Sequence, residues 1–251
     1  PPDWSVLEPQ AYPVCEEPDF LQFTCSTAWI GVIETLKIAF VATIFGMLIS
    51  YPIALLAAEN LSPPWVSYPA RAFLAAFRSL PSILWAILFV IMVGLGPMAG
   101  IMAMTLYTVG YLGKLQYEAI EGVAKPQLDA SRAMGHGWFE RSFGVVLPES
   151  ANNLISQAIF MFEYNFRHGT VIGIVGAGGI GYYINLYLEF LQYDKVFAYV
   201  IVIFIVVLIL DMVSKIVRSM FKDDKQPNMP PWWTGLFFPA ELTRKLLKKK
   251  D

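Results

Sequence analysis

The segment GAGGIG, residues 176–181, has the glycine spacing with which Rossmann-type domains hold the pyrophosphate of a dinucleotide. Such a site needs the glycines to follow a β-strand and to open a helix within a βαβ unit, with an acidic residue about 20 positions later. The preceding stretch, TVIGIV, could form a strand, but the residues that follow lead into a long apolar run. A parallel sheet buried between helices has no place there, so the sequence argues against a nucleotide site.

Three ionisable residues precede the glycines inside an apolar stretch: Glu163, Arg167 and His168. Glu163 and Arg167 are four residues apart, so on a helix they share a face and can pair. A guanidinium also suits an oxyanion, and charge inside a membrane span usually marks a pathway or a partner. Two interpretations stay open: Glu163 neutralises and orients Arg167, or Arg167 or Asn165 also contacts a passing anion. His168 fits a polar boundary residue better than a proton relay.

The composition points to a membrane protein. The chain is 56% hydrophobic and 15% charged, whereas soluble domains carry about 25% charged residues. The apolar runs 38–58 and 196–213 are each long enough to cross about 30 Å of hydrocarbon as a helix. The run 83–113 is too long for one span, and GLGP at 94–97 predicts a turn between two helices. Together with the shorter segment 154–166, these runs predict an all-α integral membrane protein with five spans.

The charges are distributed unequally along the chain. Residues 1–33 contain acidic residues but no Lys or Arg, whereas residues 215–250 are rich in both. Because basic segments stay in the cytoplasm, we expect the N-terminal end outside and the C-terminal end inside. Five spans place the two ends on opposite sides of the membrane, which is consistent with this orientation. The connections 59–81 and 114–150 are then cytoplasmic.

The sequence divides into three parts. Residues 1–28 form an extracytoplasmic lead-in, 29–220 a transmembrane domain, and 221–251 a cytoplasmic tail. Trp and Phe beside a polybasic run are typical of a segment that rests on an anionic inner leaflet, and a disordered tail is the alternative. Cys15 and Cys25 lie in the lead-in, where oxidising conditions allow a disulfide; two free thiols are the alternative.

In a membrane protein the glycine segment 173–181 has another interpretation. Residues without side chains let helices, or a second copy of the chain, approach closely. They also allow non-helical backbone, which a bilayer tolerates only where it lines a cavity or is covered by protein. We therefore interpret the segment as an outer gate, with a tight outside turn as the alternative. The gate glycines are Gly173, Gly176, Gly178, Gly179 and Gly181.

The most specific segment is LDASRAMGHGWFERSFGVVLPES, residues 128–150. Asp129 is placed to begin a helix, because a carboxylate is favourable at the positive end of the helix dipole. We expect Gly135 to interrupt this helix and Leu147-Pro148 to end the segment before the next span. A short helix with a small apolar face is typical of a knob that fits a partner's groove. The face consists of Ala130, Ala133 and Met134.

This segment resembles the coupling loop of binding-protein-dependent ABC importer permeases. Their pattern is E-A-A, three residues, G, nine residues, then I-x-L-P. Here Asp replaces Glu, Ser replaces the second Ala, and Val replaces Ile, at the same spacing. The resemblance implies that the segment couples this chain to an ATPase. The residues concerned are Asp129, Ala130, Ser131, Met134, Gly135, Val145, Leu147 and Pro148.

Within that family the chain is similar to the phosphonate importer branch over about residues 30–220. The similarity rests on AAENLSPPWV (57–66), VGLGPMAGIMAM (93–104) and FEYNFRHGTVIGIVGAGGIG (162–181). His168-Gly169 stands where the branch is expected to carry a small or polar pair. The Cys-bearing lead-in and the Trp-rich tail have no counterpart in the family.

The resemblance implies a type I ABC importer transmembrane domain in the cytoplasmic (inner) membrane of a bacterium or archaeon. Its implied partners are a second copy of itself, two cytoplasmic ATPase subunits and an extracytoplasmic binding protein, within the lipid bilayer and without nucleic acid. Members usually have one more N-terminal helix, so we expect six spans in the full-length protein.

The implied cargo is phosphonate or a related phosphorus oxyanion such as phosphite or a phosphate ester, moved by alternating access. We expect no cofactor on this chain, since ATP and Mg belong to the ATPase subunits, and no metal site. The sequence has no Walker pattern and no nucleophile triad, so we expect a subunit that is not itself an enzyme. One alternative is a permease of the same class for methionine or another small solute. Another is a channel or secondary carrier that works without an ATPase.

Overall fold

The computed structural model describes residues 1–8 and 25–220. Within these residues the α-helices are α1 (Thr27–Ala57), α2 (Pro64–Ser79), α3 (Ser82–Val93), α4 (Pro97–Glu121), α5 (Lys125–Ala133), α6 (Trp138–Arg141), α7 (Leu147–Ile172), α8 (Ile180–Glu189) and α9 (Tyr193–Met220). Short 3-10 helices cover Trp4–Leu7 and Gly173–Val175, and a π-helix covers Ser142–Val146. The described part contains no β-strand, as the all-α prediction requires.

Three segments of the described chain are long and apolar enough to cross a membrane: α1, Trp138–Glu189 with α7 at its centre, and Tyr193–Ser219 in α9. A fourth crossing results if α2 and α3, which are bent by 80°, form one span. The remaining predicted span is α4, whose 25 residues extend about 37 Å. α4 is not among the segments that are apolar enough by composition, because Gly, Thr and charged residues interrupt its apolar sequence. Its Gly residues pack closely against neighbouring helices.

The turn at 94–97 forms as predicted. α3 ends at Val93 and α4 begins at Pro97. Gly94 and Gly96 have φ angles of +92° and +139°, which side chains disfavour. The long apolar run 83–113 is thereby folded into two helices that pack side by side.

A hydrogen-bonded clamp joins α1, α4 and α7 at the centre of the helix bundle. Asn165 on α7 is 1% exposed. Its Nδ2 donates to Oγ1 of Thr43 on α1 and to Oγ1 of Thr108 on α4, both at 2.9 Å. Thr43 in turn donates to the carbonyl of Ala39 at 2.7 Å, so this network satisfies its buried groups internally.

At the C-terminal end of α1, Arg71 of α2 connects α2 to the ends of α1 and α4. Its guanidinium pairs with Glu59 at 2.8 Å and with Glu121 at the end of α4, and its Nε donates to the carbonyl of Ala57 at 2.9 Å. The ring of Tyr117 lies 4.8 Å from the same group. α2 is therefore attached to the ends of α1 and α4 that the charge rule places on the cytoplasmic side.

The structure corrects two helix boundaries in the segment 128–150. Asp129 does not begin the helix: α5 begins at Lys125, and Pro126 occupies its first turn, where a missing N–H costs nothing. Leu147-Pro148 does not end the segment either, because the π-helix runs directly into α7 with Pro148 in its first turn. Gly135 does interrupt the helix, since α5 ends just before it and its φ is +79°.

Only part of the predicted lead-in is described, and the tail 221–251 lies outside the described residues. Val6 is buried against Ala28, Val32 and Tyr199, which holds the start of the chain to α1 and α9. Cys25 is disulfide-bonded. Cys15, the partner expected from the sequence, lies outside the described residues.

We predict that Asn165→Leu lowers the free energy of unfolding by about 1–4 kcal/mol, because it removes two interhelical hydrogen bonds worth about 0.6–2 kcal/mol each in membranes. The measurement is thermal or denaturant unfolding of the purified protein in detergent. Asn152→Leu, at an exposed position on the same helix, is the matched control and should be nearly neutral. Equal stability of the two variants would contradict a clamping role.

Candidate functional site

The glycine segment lies between two helices, and this arrangement excludes a dinucleotide loop. α7 ends at Ile172, a 3-10 turn covers Gly173–Val175, and α8 begins at Ile180. Gly176, Gly178 and Gly179 have φ angles of +87°, +82° and +74°. The backbone between the helices is therefore a tight turn that only glycine adopts without strain.

The same glycines allow close packing. A Cβ on Gly173 would lie 2.5 Å from the carbonyl oxygen of Gly178, and one on Gly181 would overlap the carbonyl of Thr170. A Cβ on Gly179 would lie 2.5 Å from Oγ1 of Thr35 on α1, which accepts a hydrogen bond from the Ile180 amide at 2.9 Å. The segment is thus folded onto its own helix and onto α1.

The glycine segment also contacts the turn between α3 and α4. The amide of Gly96 donates to the carbonyl of Gly176 at 2.9 Å, and the carbonyl of Ala177 lies against Gly100. A cavity of about 800 Å³ opens beside these turns. Glu34 and Lys37 of α1 line it together with Pro97, Gly178 and Tyr182. The two turns are in contact at this end of the bundle, and gating at this place stays a prediction.

Four charged side chains form a network between α7 and α9. Arg167 pairs with Glu163, as their spacing allows, and its Nη2 lies 2.7 Å from Oδ1 of Asp211. Nη2 of Arg218 lies 3.1 Å from the second oxygen of Glu163. Two carboxylates and two guanidiniums alternate, so each charge has an opposite neighbour.

Sequence reasoning missed half of this network. From its place in the final apolar run, the sequence predicts that Asp211 is solvated near the inner end of its span; the structure adds an ion pair with Arg167. Arg218 was not singled out. The two residues are seven apart on α9, which places them on one helix face. That spacing was a usable signal, but it does not identify α7 as the partner.

Asn165 and His168 of α7 form hydrogen bonds to different helices of the bundle, and their predicted roles stay predictions. Asn165 is buried in the clamp between α1 and α4 and is turned away from the surface of the chain. His168 is half-buried. Its Nδ1 lies 3.2 Å from Oγ of Ser82 at the start of α3, and its ring stacks on Tyr164 with centroids 4.1 Å apart.

Tyr164 and His168 belong to an aromatic cluster that sequence reasoning did not find. The hydroxyls of Tyr107 on α4 and Tyr164 on α7 are 2.9 Å apart, and their rings are nearly parallel. Tyr111, one turn further along α4, stacks on Tyr164 at 5.5 Å. The 107/111 and 164/168 spacings of four residues were visible in the sequence, but only the packing of α4 against α7 brings them together.

The segment that resembles a coupling loop projects from the Arg71 end of the bundle. Leu128 of α5 and Val146 of the π-helix are buried against Ala54, Leu55 and Ile120. Oγ of Ser131 lies 3.0 Å from Nδ1 of His136, which closes the turn at Gly135. This anchorage holds the short helices firmly against α1 and α4.

The same segment exposes large apolar side chains, namely Met134, Phe139 and Phe143, the last of which is 51% exposed. Met134 and Phe139 are 66% and 72% exposed, in an otherwise polar setting. Of the other predicted coupling residues, Asp129, Ala130, Gly135 and Pro148 are exposed, Val145 and Leu147 are half-buried, and Ser131 is buried. Asp129 pairs with Arg132 at 3.2 Å. Two large apolar side chains held outward by an anchored frame form a surface that a partner can recognise.

Comparison with solved structures gives the fold. An inward-facing form of the MetNI methionine ABC transporter matches 77% of this chain and 95% of its own, with a TM-score of 0.68 and 23% identity. An amino acid ABC transporter solved with histidines matches with a TM-score of 0.63 and 18% identity. At these identities the likeness establishes a type I ABC importer permease fold and nothing more.

Sequence relatives are more similar. The phosphite transport system permease protein PtxC of Stutzerimonas stutzeri is 37% identical over 223 residues, which is 88% of this chain and 78% of the relative. The phosphate-import permease protein PhnE of Mycolicibacterium smegmatis is 39% identical over 187 residues, 74% of this chain. The chain spans only 35% of the length of that second relative.

A family model also matches, over residues 50–222, and its description is "Binding-protein-dependent transport system inner membrane component". The match covers the coupling segment, the glycine segment and every helix from the end of α1 onward. Together with the helical bundle and its candidate membrane spans, it shows that this chain belongs to the family of inner-membrane permease components of binding-protein-dependent transport systems.

Proposed function

We propose that this chain is the membrane-spanning subunit of an ATP-driven importer for phosphorus oxyanions, a class that includes phosphonate, phosphite and phosphate. The observation that carries the proposal is its similarity to three permeases named for phosphate or phosphite transport, at 36–39% identity over 74–88% of this chain. A D-methionine permease of Pasteurella multocida is 27% identical, which is a weaker likeness. Methionine import is therefore the nearest rival.

The proposed mechanism is alternating access by two copies of this chain. ATP binding draws two cytoplasmic ATPase subunits together, and the coupling segment transmits their movement to α1 and α4 through the buried contacts of Leu128 and Val146. The turns at 94–97 and 173–181 then separate to admit substrate from an extracytoplasmic binding protein. Hydrolysis restores the inward-facing state.

The exposed pair Met134 and Phe139 supports an ATPase contact. Both side chains project from a segment anchored by Leu128, so a force applied to them moves the bundle rather than a loose loop. Large apolar side chains at the centre of an interface commonly contribute 2 kcal/mol or more, about 30-fold in affinity. We assign these two residues the main docking role.

The contacts of Arg167 support a structural role for this residue. Its guanidinium is engaged by the carboxylates of both Glu163 and Asp211, so little of its charge is left for a passing anion. Removing one member of a paired network leaves an unbalanced charge, which is costly in a membrane. We propose that Arg167 holds α7 and α9 together.

The substrate prediction is tested with the complex of permease, ATPase and binding protein reconstituted in vesicles. Phosphate, phosphite or methylphosphonate should stimulate ATP hydrolysis and uptake, and methionine should do neither. Stimulation by methionine alone would replace the proposed cargo. Flux without ATP, and purification without any ATPase, would instead favour a channel or secondary carrier.

The docking prediction uses the double change Met134→Glu and Phe139→Glu. We expect at least about a tenfold loss of ATPase copurification, because two apolar anchors are replaced by charges. Phe190→Glu, an exposed aromatic residue beyond the other end of the bundle, is the matched control and should copurify normally. Undiminished ATPase binding by the double variant would place the contact elsewhere.

The structural role of Arg167 is tested by compensation. Arg167→Gln should lower unfolding free energy by more than about 1 kcal/mol, the upper end for exposed pairs, since two carboxylates then face one guanidinium. Adding Asp211→Asn leaves the neutral pair of Glu163 and Arg218, and should restore both stability and uptake. If the double variant is stable but still transports nothing, Arg167 acts directly on the anion.

A further inference from the structure

A polar stripe runs along α4 from the aromatic cluster to the Arg71 end of the bundle. Tyr107, Tyr111, Lys114 and Glu118 are spaced by four, three and four residues, so they share one helix face. Lys114 and Glu118 form an ion pair at 3.5 Å. All four side chains are at least partly exposed, so the chain's own helices do not cover this face.

A matching stripe runs along α7, beside the first. It consists of Asn153, Gln157, Tyr164 and His168, which again share one face. Nε2 of Gln157 donates to the carbonyl of Leu115 on α4 at 2.9 Å, so the two stripes are in contact along their length. Oε1 of Gln157 is buried and has no hydrogen-bond partner among the described residues.

Near Tyr107 and His168, which we call the upper end of the stripes, the stripes contact the break between α2 and α3. α2 and α3 are bent by 80° at Leu80-Pro81, and Pro81 is exposed. Pro81 cannot donate to the carbonyl of Phe77, and Nε1 of Trp85 donates to it instead, at 3.1 Å. Since α3 has 12 residues, the break lies about 18 Å from the turn at 94–97, well inside the bilayer.

Neither feature is compatible with a lipid-facing surface. Exposed non-helical backbone occurs at bilayer depth only where protein buries it or where it lines a water-filled cavity. Hydroxyl, amide and imidazole groups facing hydrocarbon would each lose hydrogen bonds to water. Broken helices near the midplane are also where transporters bind their substrates. Both stripes and the break lie on one continuous surface, through the contact of Ser82 with His168.

We infer that the two stripes form one wall of a water-filled path, and that Ser82, Tyr107, Tyr111, Tyr164 and His168 at its upper end form a binding site for the phosphorus oxyanion. The identity of the ligand rests on the proposed function; the existence of the path does not. The site deepens that function by locating the substrate inside the membrane, beside α3, α4 and α7, whereas the charge network of Arg167 joins α7 to α9.

The chemistry of the five side chains suits such a ligand. The hydroxyl of Tyr111 makes no hydrogen bond to the described residues, and the Tyr107–Tyr164 pair shares one hydrogen bond and so retains one free O–H. Nδ1 of His168 faces Ser82, which leaves Nε2 open. These neutral donors can bind oxyanion oxygens without a cation that would hold the anion too tightly to release. The ring faces can contact the organic group of a phosphonate.

The path is tested by cysteine accessibility in membrane vesicles that contain the whole complex. Tyr111→Cys and Gln157→Cys should react with a charged methanethiosulfonate reagent at least about tenfold faster than Ile91→Cys, because a thiolate forms only where water reaches it. Ile91 is 79% exposed and lies on the opposite face of α3 from Ser82. The unaltered chain gives the background rate. Equally slow reaction at all three sites would mean that the stripes are packed against another protein surface, and would overturn the inference.

The binding site is tested by uptake of labelled methylphosphonate in the same vesicles. Tyr111→Phe, and the double change of Tyr107→Phe with Tyr164→Phe, remove hydroxyls but keep the rings, and each should lower uptake per ATP hydrolysed by about tenfold, the effect of one hydrogen bond to a charged group. Stimulation of ATP hydrolysis by the loaded binding protein should persist. Tyr51→Phe, which removes a buried hydroxyl without a partner among the described residues, is the control and should transport normally.

The two failures are distinguishable. If Tyr111→Phe and the double variant of Tyr107→Phe with Tyr164→Phe transport as well as the unaltered chain, the five side chains do not bind the ligand and the inference is wrong. If the unaltered complex moves neither methylphosphonate nor phosphite nor phosphate, the proposed function is wrong instead. The labelling rates at positions 111 and 157 would then still decide whether the path exists.

Discussion

A polar group at bilayer depth must find its partner within the protein or in water that the protein encloses, and most of this structure follows from that constraint. The amide of Asn165 is satisfied by Thr43 and Thr108, so it serves as a clamp between helices. Glu163 and Arg167 are satisfied by each other and by α9. The carbonyl freed by Pro81 is satisfied by an indole. The stripes on α4 and α7 are satisfied only in part, since Oε1 of Gln157 has no partner among the described residues, and we interpret them as a surface that water reaches.

The glycine segment shows that one sequence pattern can have two different structural roles. In a dinucleotide site the missing side chains let a phosphate approach the backbone. Here they let the chain approach itself: Gly181 meets the carbonyl of Thr170, and Gly179 meets Thr35 on α1. The segment contacts the turn at 94–97 through one backbone hydrogen bond, so two adjacent turns close the same end of the bundle. A closure made of turns and few side chains can separate with little loss of buried apolar area.

In the proposed mechanism, force and substrate are handled by different parts of the chain. The coupling segment is fixed to α1 and α4 by buried contacts of Leu128 and Val146, while its exposed apolar side chains face outward. The charge network holds α9 to α7. Between these rigid parts lies the bend of α2 and α3, where one span is already broken and its hydrogen bonds are rearranged.

The sequence by itself determined the class of protein, the turn at 94–97, the helix stop at Gly135 and the family, because these depend on local composition and spacing. The hydropathy and charge of each segment can be read from the sequence without knowledge of its tertiary contacts. The partners on α9 were not readable, since Asp211 lies 44 positions from Arg167 and Arg218 lies 55 positions from Glu163. The inward direction of Asn165, the aromatic cluster and the paired stripes depend on how α4 and α7 are rotated against each other. Only tertiary packing sets that rotation, because many distant contacts decide it together and no single residue specifies it.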